Sequence, residues 1–189
     1  MGEKDKTNRP GFIEGEKVNL VPLTKDDAEV CFAWLNHLDT LVTLGSEPLP
    51  SGLDAQREYL AKLYERNNRF VVGVQRKADG VLIGTGGLSR IEWINQRAEL
   101  TLMIGPSDQR GKGYGREASM LILRHAFEKL NLHSVMLRVL DYNTAGKSCY
   151  EKCGFKLIGR RREAKAINNE YSDVLYMDIL AEEFAALDQ

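Results

Sequence analysis

In the stretch RAELTLMIG (97–105) the apolar residues alternate. Ala98, Leu100, Leu102 and Ile104 share one face of an extended chain, and Glu99, Thr101 and Met103 share the other. The same two-residue rhythm predicts strands over 17–23, 69–75, 81–88 and 134–140, with two more near 155–161 and 170–179. Ala78-Asp79-Gly80 between two of them reads as a hairpin turn. A rhythm of 3.6 replaces it elsewhere. Thr24 and Asp27 form a capping-box pattern ahead of Ala28, Cys31, Phe32 and Leu35, predicting a helix through about Leu38. Leu60, Leu63 and Tyr64 mark a second helix at 53–67, after the loop GSEPLPSG (45–52). Leu121, Ile122, Leu123, Ala126, Phe127 and Leu130 mark a long one at 113–130. A short helix at about 144–152 and a terminal helix complete the set.

The order is strand, two helices, three strands, helix, strand, helix, two strands. Hairpins come first and a strand-helix-strand crossover later. This predicts an α/β (α+β) fold: a mixed, mainly antiparallel sheet flanked by helices, with one parallel strand pair. The chain of 189 residues is sized for one domain, expected over 12–189 behind a flexible leader at 1–11.

Charge and cysteine content narrow the function classes. The formal net charge of -1 supplies no global field toward nucleic acid or an anionic membrane, so the basic cluster at 110–116 is a local feature. Cys31, Cys149 and Cys153 are too few and odd in number for a disulfide framework, and the polar start lacks a signal-peptide core. A cytoplasmic protein is expected. Cys149 and Cys153, four apart on a helix, read as buried small hydrophobes, no third or fourth metal ligand being visible nearby. Arg160, Arg161 and Arg162 read as a solvated turn or a contact between copies.

The local feature is DQRGKGYGREA (108–118), with glycine at every second position from Gly111 to Gly115. Between a strand and a helix N-terminus, glycines let backbone N–H groups converge, and the helix dipole adds positive character. Such a turn suits a phosphate or pyrophosphate. A Walker loop fails because Gly113, not Ser or Thr, follows Lys112; a dinucleotide fingerprint fails on the spacing of its third glycine.

RGKGYG (110–115) fits the pattern Arg/Gln-x-x-Gly-x-Gly/Ala, and DYNTAGKSCYEKCGF (141–155) follows about 30 residues on. Together they resemble the GNAT superfamily of acetyl-CoA-dependent N-acetyltransferases, over roughly 17–180 and most tightly over 97–159. The resemblance implies that Arg110, Gly111, Lys112, Gly113, Tyr114, Gly115 and Arg116 hold the pyrophosphate of acetyl-CoA. It implies that the backbone of Leu102, Met103 and Ile104 lines the pantetheine arm in a gap between splayed strands, and that Asn143 contacts the cofactor. Tyr150 falls at the family's tyrosine near the sulfur. It implies no metal, and a homodimer. Gly146 departs from the Ala or Ser usual three residues after the asparagine.

Acetyl transfer by direct attack in a ternary complex needs a neutral amine, donors for the oxyanion, and an acid for the departing thiolate. Tyr150 is the candidate acid, or else a ring packed on the sheet. Glu99 is the candidate base, direct or through water, or else an acid paired with Arg90 or Arg97; Glu92 is an alternative. An α-amine with a pKa of about 8 is roughly one-tenth neutral at pH 7, whereas an amine near 10.4 is neutral in about one molecule in 2,500. Both acceptor types remain open. RFVVGVQRKADGVLIGTGGLSRIEWINQRAELTLMI (69–104), NLHSV (131–135) and INNEYSDVLYMDIL (167–180) resemble the spermidine N-acetyltransferases, and look like the ribosomal-protein N-terminal acetyltransferases, of the superfamily. The acceptor is thus a polyamine or a protein N-terminus. A catalytically silent acetyl-CoA sensor or scaffold is the alternative of another class.

Overall fold

The alternating segments become a single eight-stranded sheet in a computed structural model that describes residues 9–47, 49–65, 67–167 and 170–187. The strands are β1 (Ile13–Glu14), β2 (Val18–Val21), β3 (Phe70–Arg76), β4 (Leu82–Glu92), β5 (Arg97–Ile104), β6 (Ser134–Leu140), β7 (Lys156–Ile167) and β8 (Glu170–Leu180). Their spatial order is β1-β2-β3-β4-β5-β6-β8-β7. Every pairing is antiparallel except β5 with β6. The expected fold class stands, with one extra short strand at the start.

The helices are α1 (Ala28–Leu35), α2 (Leu38–Leu44), α3 (Leu53–Ala61), α4 (Tyr114–Arg124), α5 (Thr144–Glu151) and α6 (Ala181–Leu187). Two-residue alternation decides which of them covers which face. Ala98 and Leu100 of β5 join Ala118, Ile122 and Leu123 of α4 in the main core. Met103, from the opposite face, packs with Cys31 and Trp34 of α1. Full burial of Ile122 and Leu123 contributes about 1.5–3 kcal/mol each, which seats α4 firmly and with it the glycine turn at its start.

Four local expectations change. The first helix stops at Leu35, and after Asn36 and His37 a separate helix, α2, begins at Leu38. β-Branched Thr40, Val42 and Thr43 hid it from a propensity reading. Tyr64 is exposed rather than part of the buried stripe, and its hydroxyl accepts from the Leu23 N–H at 2.7 Å. The long helix turns into a π-helical stretch over His125–Lys129. Arg160–Arg162 lie on β7, not in a turn, with Arg160 paired to Asp173 at 3.0 Å. Of the expected leader, residues 1–8 lie outside the described residues. Arg9 hydrogen-bonds both carboxylate oxygens of Asp27, the residue that also accepts from the Thr24 N–H as the capping box requires.

Candidate active site

The parallel pairing of β5 with β6 is short. It joins Arg97 to Ser134, Ala98 to Val135 and Glu99 to Met136, and then ends. β5 runs on to Ile104 against β4, and β6 runs on to Leu140 against β8, so a fork opens between the two arms. Each arm is tied elsewhere. The Arg110 guanidinium donates to the carbonyls of Ile104 (3.0 Å) and Gly105 (2.9 Å) at the end of β5, and to Thr40 Oγ1 of α2 (3.1 Å). Beyond β6, the Tyr142 hydroxyl donates to the Val42 carbonyl (2.6 Å) and Asn143 Nδ2 to the Thr43 carbonyl (3.3 Å). The helix missing from the sequence reading therefore spans the open end of the fork and is bonded to both arms.

α4 starts beside one arm. A side chain at Gly115 would touch Leu102 (3.6 Å) and Ile104 (3.8 Å) of β5, and Cys149 Sγ (3.9 Å) of α5. Ahead of it the chain passes through left-handed conformations at Gly111 (φ 75°) and Gly113 (φ 89°), which favour glycine. The Arg110 N–H is taken by the Ser107 carbonyl, and the Glu117 N–H by that of Gly113. Between them the six backbone N–H groups of 111–116 have no acceptor among the described residues. Idle donors at a helix start form an anion cradle. Lys112 and Arg116 stand exposed beside it, with no carboxylate partner among the described residues. Arg110 does not stand there: its side chain is spent on holding β5 and α2.

Lys17 takes a place at the cradle that sequence reasoning did not find. Its ammonium lies 3.5 Å from where a Cβ on Gly113 would be. It is placed by Glu117 of α4, whose Oε1 accepts from the N–H groups of Lys17 (2.7 Å) and Val18 (3.2 Å). Nothing local in the sequence links residues 17 and 117; only the packing of β2 on α4 does.

Tyr150 belongs to the same side of the sheet. Its ring packs on the main core and meets Phe155 edge-on at 5.9 Å. Its hydroxyl has no hydrogen-bond partner among the described residues. Burial, followed by the neighbouring thiols of Cys149 and Cys153, pushes the phenol pKa well above its ordinary value. Cys153 is fully buried and Cys149 half-buried. Asn143 is committed to structure: its Oδ1 caps α5 by accepting from the Gly146 N–H at 2.9 Å. That cap explains Gly146, since a Cβ there would lie 2.8 Å from Asn143 Nδ2.

Glu99 projects from the other face, shared with Met103, at the point where the fork begins. It is buried, and both its oxygens are engaged: Oε1 accepts from Arg138 Nε at 2.6 Å and Oε2 from Arg90 Nη1 at 3.0 Å. Arg138 comes from the diverging arm of β6. Arg90 comes from a bulge in β4 and has a left-handed backbone, φ 51°. The expected ion pair thus includes Arg90, while Arg97 pairs instead with Glu92 at 2.9 Å. Glu92 is exposed, and hydrogen bonds from Asn95 and then Arg97 hold its carboxyl below the ordinary range. Tyr150 and Glu99 lie on opposite faces of the sheet, so an acid and a base drawn from this pair would address the fork from two sides.

The family described as "Acetyltransferase (GNAT) domain" matches residues 17–156. The uncharacterized N-acetyltransferase p20 of Bacillus licheniformis is 30% identical over 175 residues, 90% of this chain and 96% of that one. The N-acetyltransferase 9-like protein of Caenorhabditis briggsae is 27% identical over 175 residues, 87% of each chain. Among solved structures, a spermidine N-acetyltransferase of Vibrio cholerae in complex with CoA and spermine superposes with a TM-score of 0.82. It is 29% identical, over 90% of this chain and 99% of that one.

Proposed function

The chain belongs to the GNAT family of N-acetyltransferases, and we propose that it transfers the acetyl group of acetyl-CoA to an α-amine by direct attack in a ternary complex. The observation that carries this reading is the row of idle N–H groups at 111–116 beside an open strand fork. A pyrophosphate would satisfy several of them at once, with Lys112, Arg116 and Lys17 adding charge. The CoA bound by the Vibrio cholerae neighbour supports the same ligand.

From that end the thioester would reach along the fork toward Tyr150. The Tyr150 hydroxyl has no competing partner among the described residues and keeps its proton at neutral pH, so it is the donor for the departing sulfur. Glu99 acts differently from a free base. With an arginine on each oxygen it is a positioning residue for Arg90 and Arg138. An acceptor that Glu99 does not deprotonate is helped by arriving neutral. An α-amine does so in roughly one molecule in ten at pH 7, while a polyamine nitrogen does so in about one in 2,500. This favours an N-terminal α-amine. A polyamine acceptor is the second reading, supported by the spermidine enzyme among the structural neighbours.

The test is acetyl-CoA consumption with mass spectrometry of the products, using short peptides in one arm and spermidine in another. A peptide one acetyl group heavier supports the proposal; acetylspermidine as the favoured product would replace it with the second reading. A rise in melting temperature with acetyl-CoA and no product from any amine would leave a silent binder. One substitution probes the cradle. Lys17→Ala is expected to raise the KM for acetyl-CoA about 3- to 10-fold at low salt, with less effect at high salt, because an exposed ammonium is screened. An unchanged KM at low salt removes Lys17 from the site.

A further inference from the structure

At the apex of the fork, on the side opposite the cofactor cradle, the Glu99 carboxylate carries two guanidiniums, and Asp178, in register with Met136, is a second acid on that face. Both guanidiniums bond Glu99. Glu99 is almost fully enclosed, while the side chains of Arg90 and Arg138 are 70% and 45% exposed. Each arginine uses a single N–H on Glu99, and a guanidinium has five. The remaining donors point to no carboxylate among the described residues.

The chain accepts strain to put Arg90 there. β4 and β5 lose register between Ser89 and Glu92, and within that bulge Arg90 adopts φ 51°, a conformation costly to a residue with a Cβ. A glycine would form the bulge more cheaply, but it would not bring a guanidinium to Glu99. Arg138 makes the matching approach from the other side of the fork. Glu99 thus holds two cations in a fixed pose at the place where the sheet opens. That is the arrangement of a carboxylate clamp, in which planar guanidiniums offer paired donors at a set angle.

Resting on the acetyl-transfer reading above, we propose that Arg90 and Arg138 bind a carboxylate carried by the acceptor close to the amine that is acetylated. Two kinds of acceptor share that chemistry: a free α-amino acid, through its own α-carboxylate, and a peptide whose first residue is Asp or Glu. A polyamine lacks the anion and meets two cations instead.

The experiment compares each acid with its own amide. Wild-type kcat/KM, expressed per neutral amine at the assay pH, is measured for alanine against alaninamide, for an Asp-initiated peptide against the Asn-initiated one, and for spermidine. The expected result is a preference of about tenfold or more for the acid in at least one pair, the pair identifying the source, since a hydrogen bond to a charged group carries that much discrimination. Arg138→Gln is expected to reduce this preference to below about threefold, with Arg138→Lys restoring part of it. The amide acceptor serves as the folding control, because a variant that still turns it over is folded. Arg90→Gln gives an independent second variant with the same expectation. Equal kcat/KM per neutral amine for acid and amide overturns the proposal, as does a preference for spermidine on the same scale, and both leave acetyl transfer standing. A preference that survives both arginine variants overturns it too. Failure to acetylate any amine, despite stabilisation by acetyl-CoA, overturns the acetyl-transfer reading and this proposal with it.

Discussion

Tyr150→Phe is expected to lower kcat by about 10²- to 10³-fold while leaving the KM for acetyl-CoA within about twofold of the parent. The ring carries the packing: it rests on the main core and on Phe155, and phenylalanine preserves both contacts. Only the hydroxyl is lost, and that hydroxyl has no partner among the described residues whose loss could disturb the fold. The magnitude follows from the chemistry. The phenol is pushed above its ordinary value by burial and by the two nearby thiols, whereas an ordinary thiol titrates near about 8.5. Full proton transfer to a thiolate is therefore uphill, and the contribution is a hydrogen bond that strengthens as charge develops on sulfur. This places the loss in the lower half of the general-acid range. A second expectation has the same origin. Because the folded phenol titrates above its unfolded value, it stays neutral through the assay range and no alkaline limb of the rate profile belongs to it. Its effect on stability is absent below about pH 10, and the folded state weakens as pH rises above that value. A kcat within about threefold of the parent, with saturating amine, would remove Tyr150 as the donor.

Gly87→Ala is expected to cost about 3–5 kcal/mol of stability, at the upper end of single-site effects. Gly87 sits in β4 with φ 148°, and a Cβ added there would lie 1.9 Å from the Phe70 carbonyl oxygen of the neighbouring strand. That oxygen is backbone and cannot rotate away. Relief requires β3 and β4 to separate in the middle of the sheet, where Val71 pairs with Gly87 and Gly87 with Thr101. In a chain of this length the loss corresponds to a fall in melting temperature of roughly 6–20 °C. Acetyl-CoA should recover part of it, since binding to the folded state alone stabilises by mass action. Thermal unfolding followed by circular dichroism checks it; a melting temperature within about 2 °C of the parent would show that the strands can accommodate the methyl group.

What could be inferred from sequence divides along the range of the interactions. Alternation delimits β6 residue for residue and β5 to within one, because it is a local signal. The glycine turn and Tyr150 carried motifs a few residues long. The fork itself was an implication of resemblance, and its length was not legible, since it depends on where pairing between residues 97–99 and 134–136 stops. Lys17 at the cradle, Arg138 on Glu99 and the bond from Arg110 to Thr40 each join segments dozens of residues apart. Arg110 and Asn143 show the opposite difficulty. Their positions agree with a family pattern, while their hydrogen bonds hold β5 and cap α5. Alternation sets the face on which Glu99 stands, but its two partners arrive from a bulge and from a diverging strand, and neither follows from periodicity.

The brevity of the parallel seam has a consequence for how the chain acquires its structure. β3, β4 and β5 form a meander of neighbours in sequence, and β7 folds back on β8 as a hairpin that takes β6 at its side. Each group can order through short loop closures, which are fast. The two groups are joined by only three residue pairs, with α4 as the cover over the joint. The joint between the two groups thus lies at the place where the chain keeps its opening. A ligand seated there would act as the late, long-range contact that the backbone itself leaves unmade.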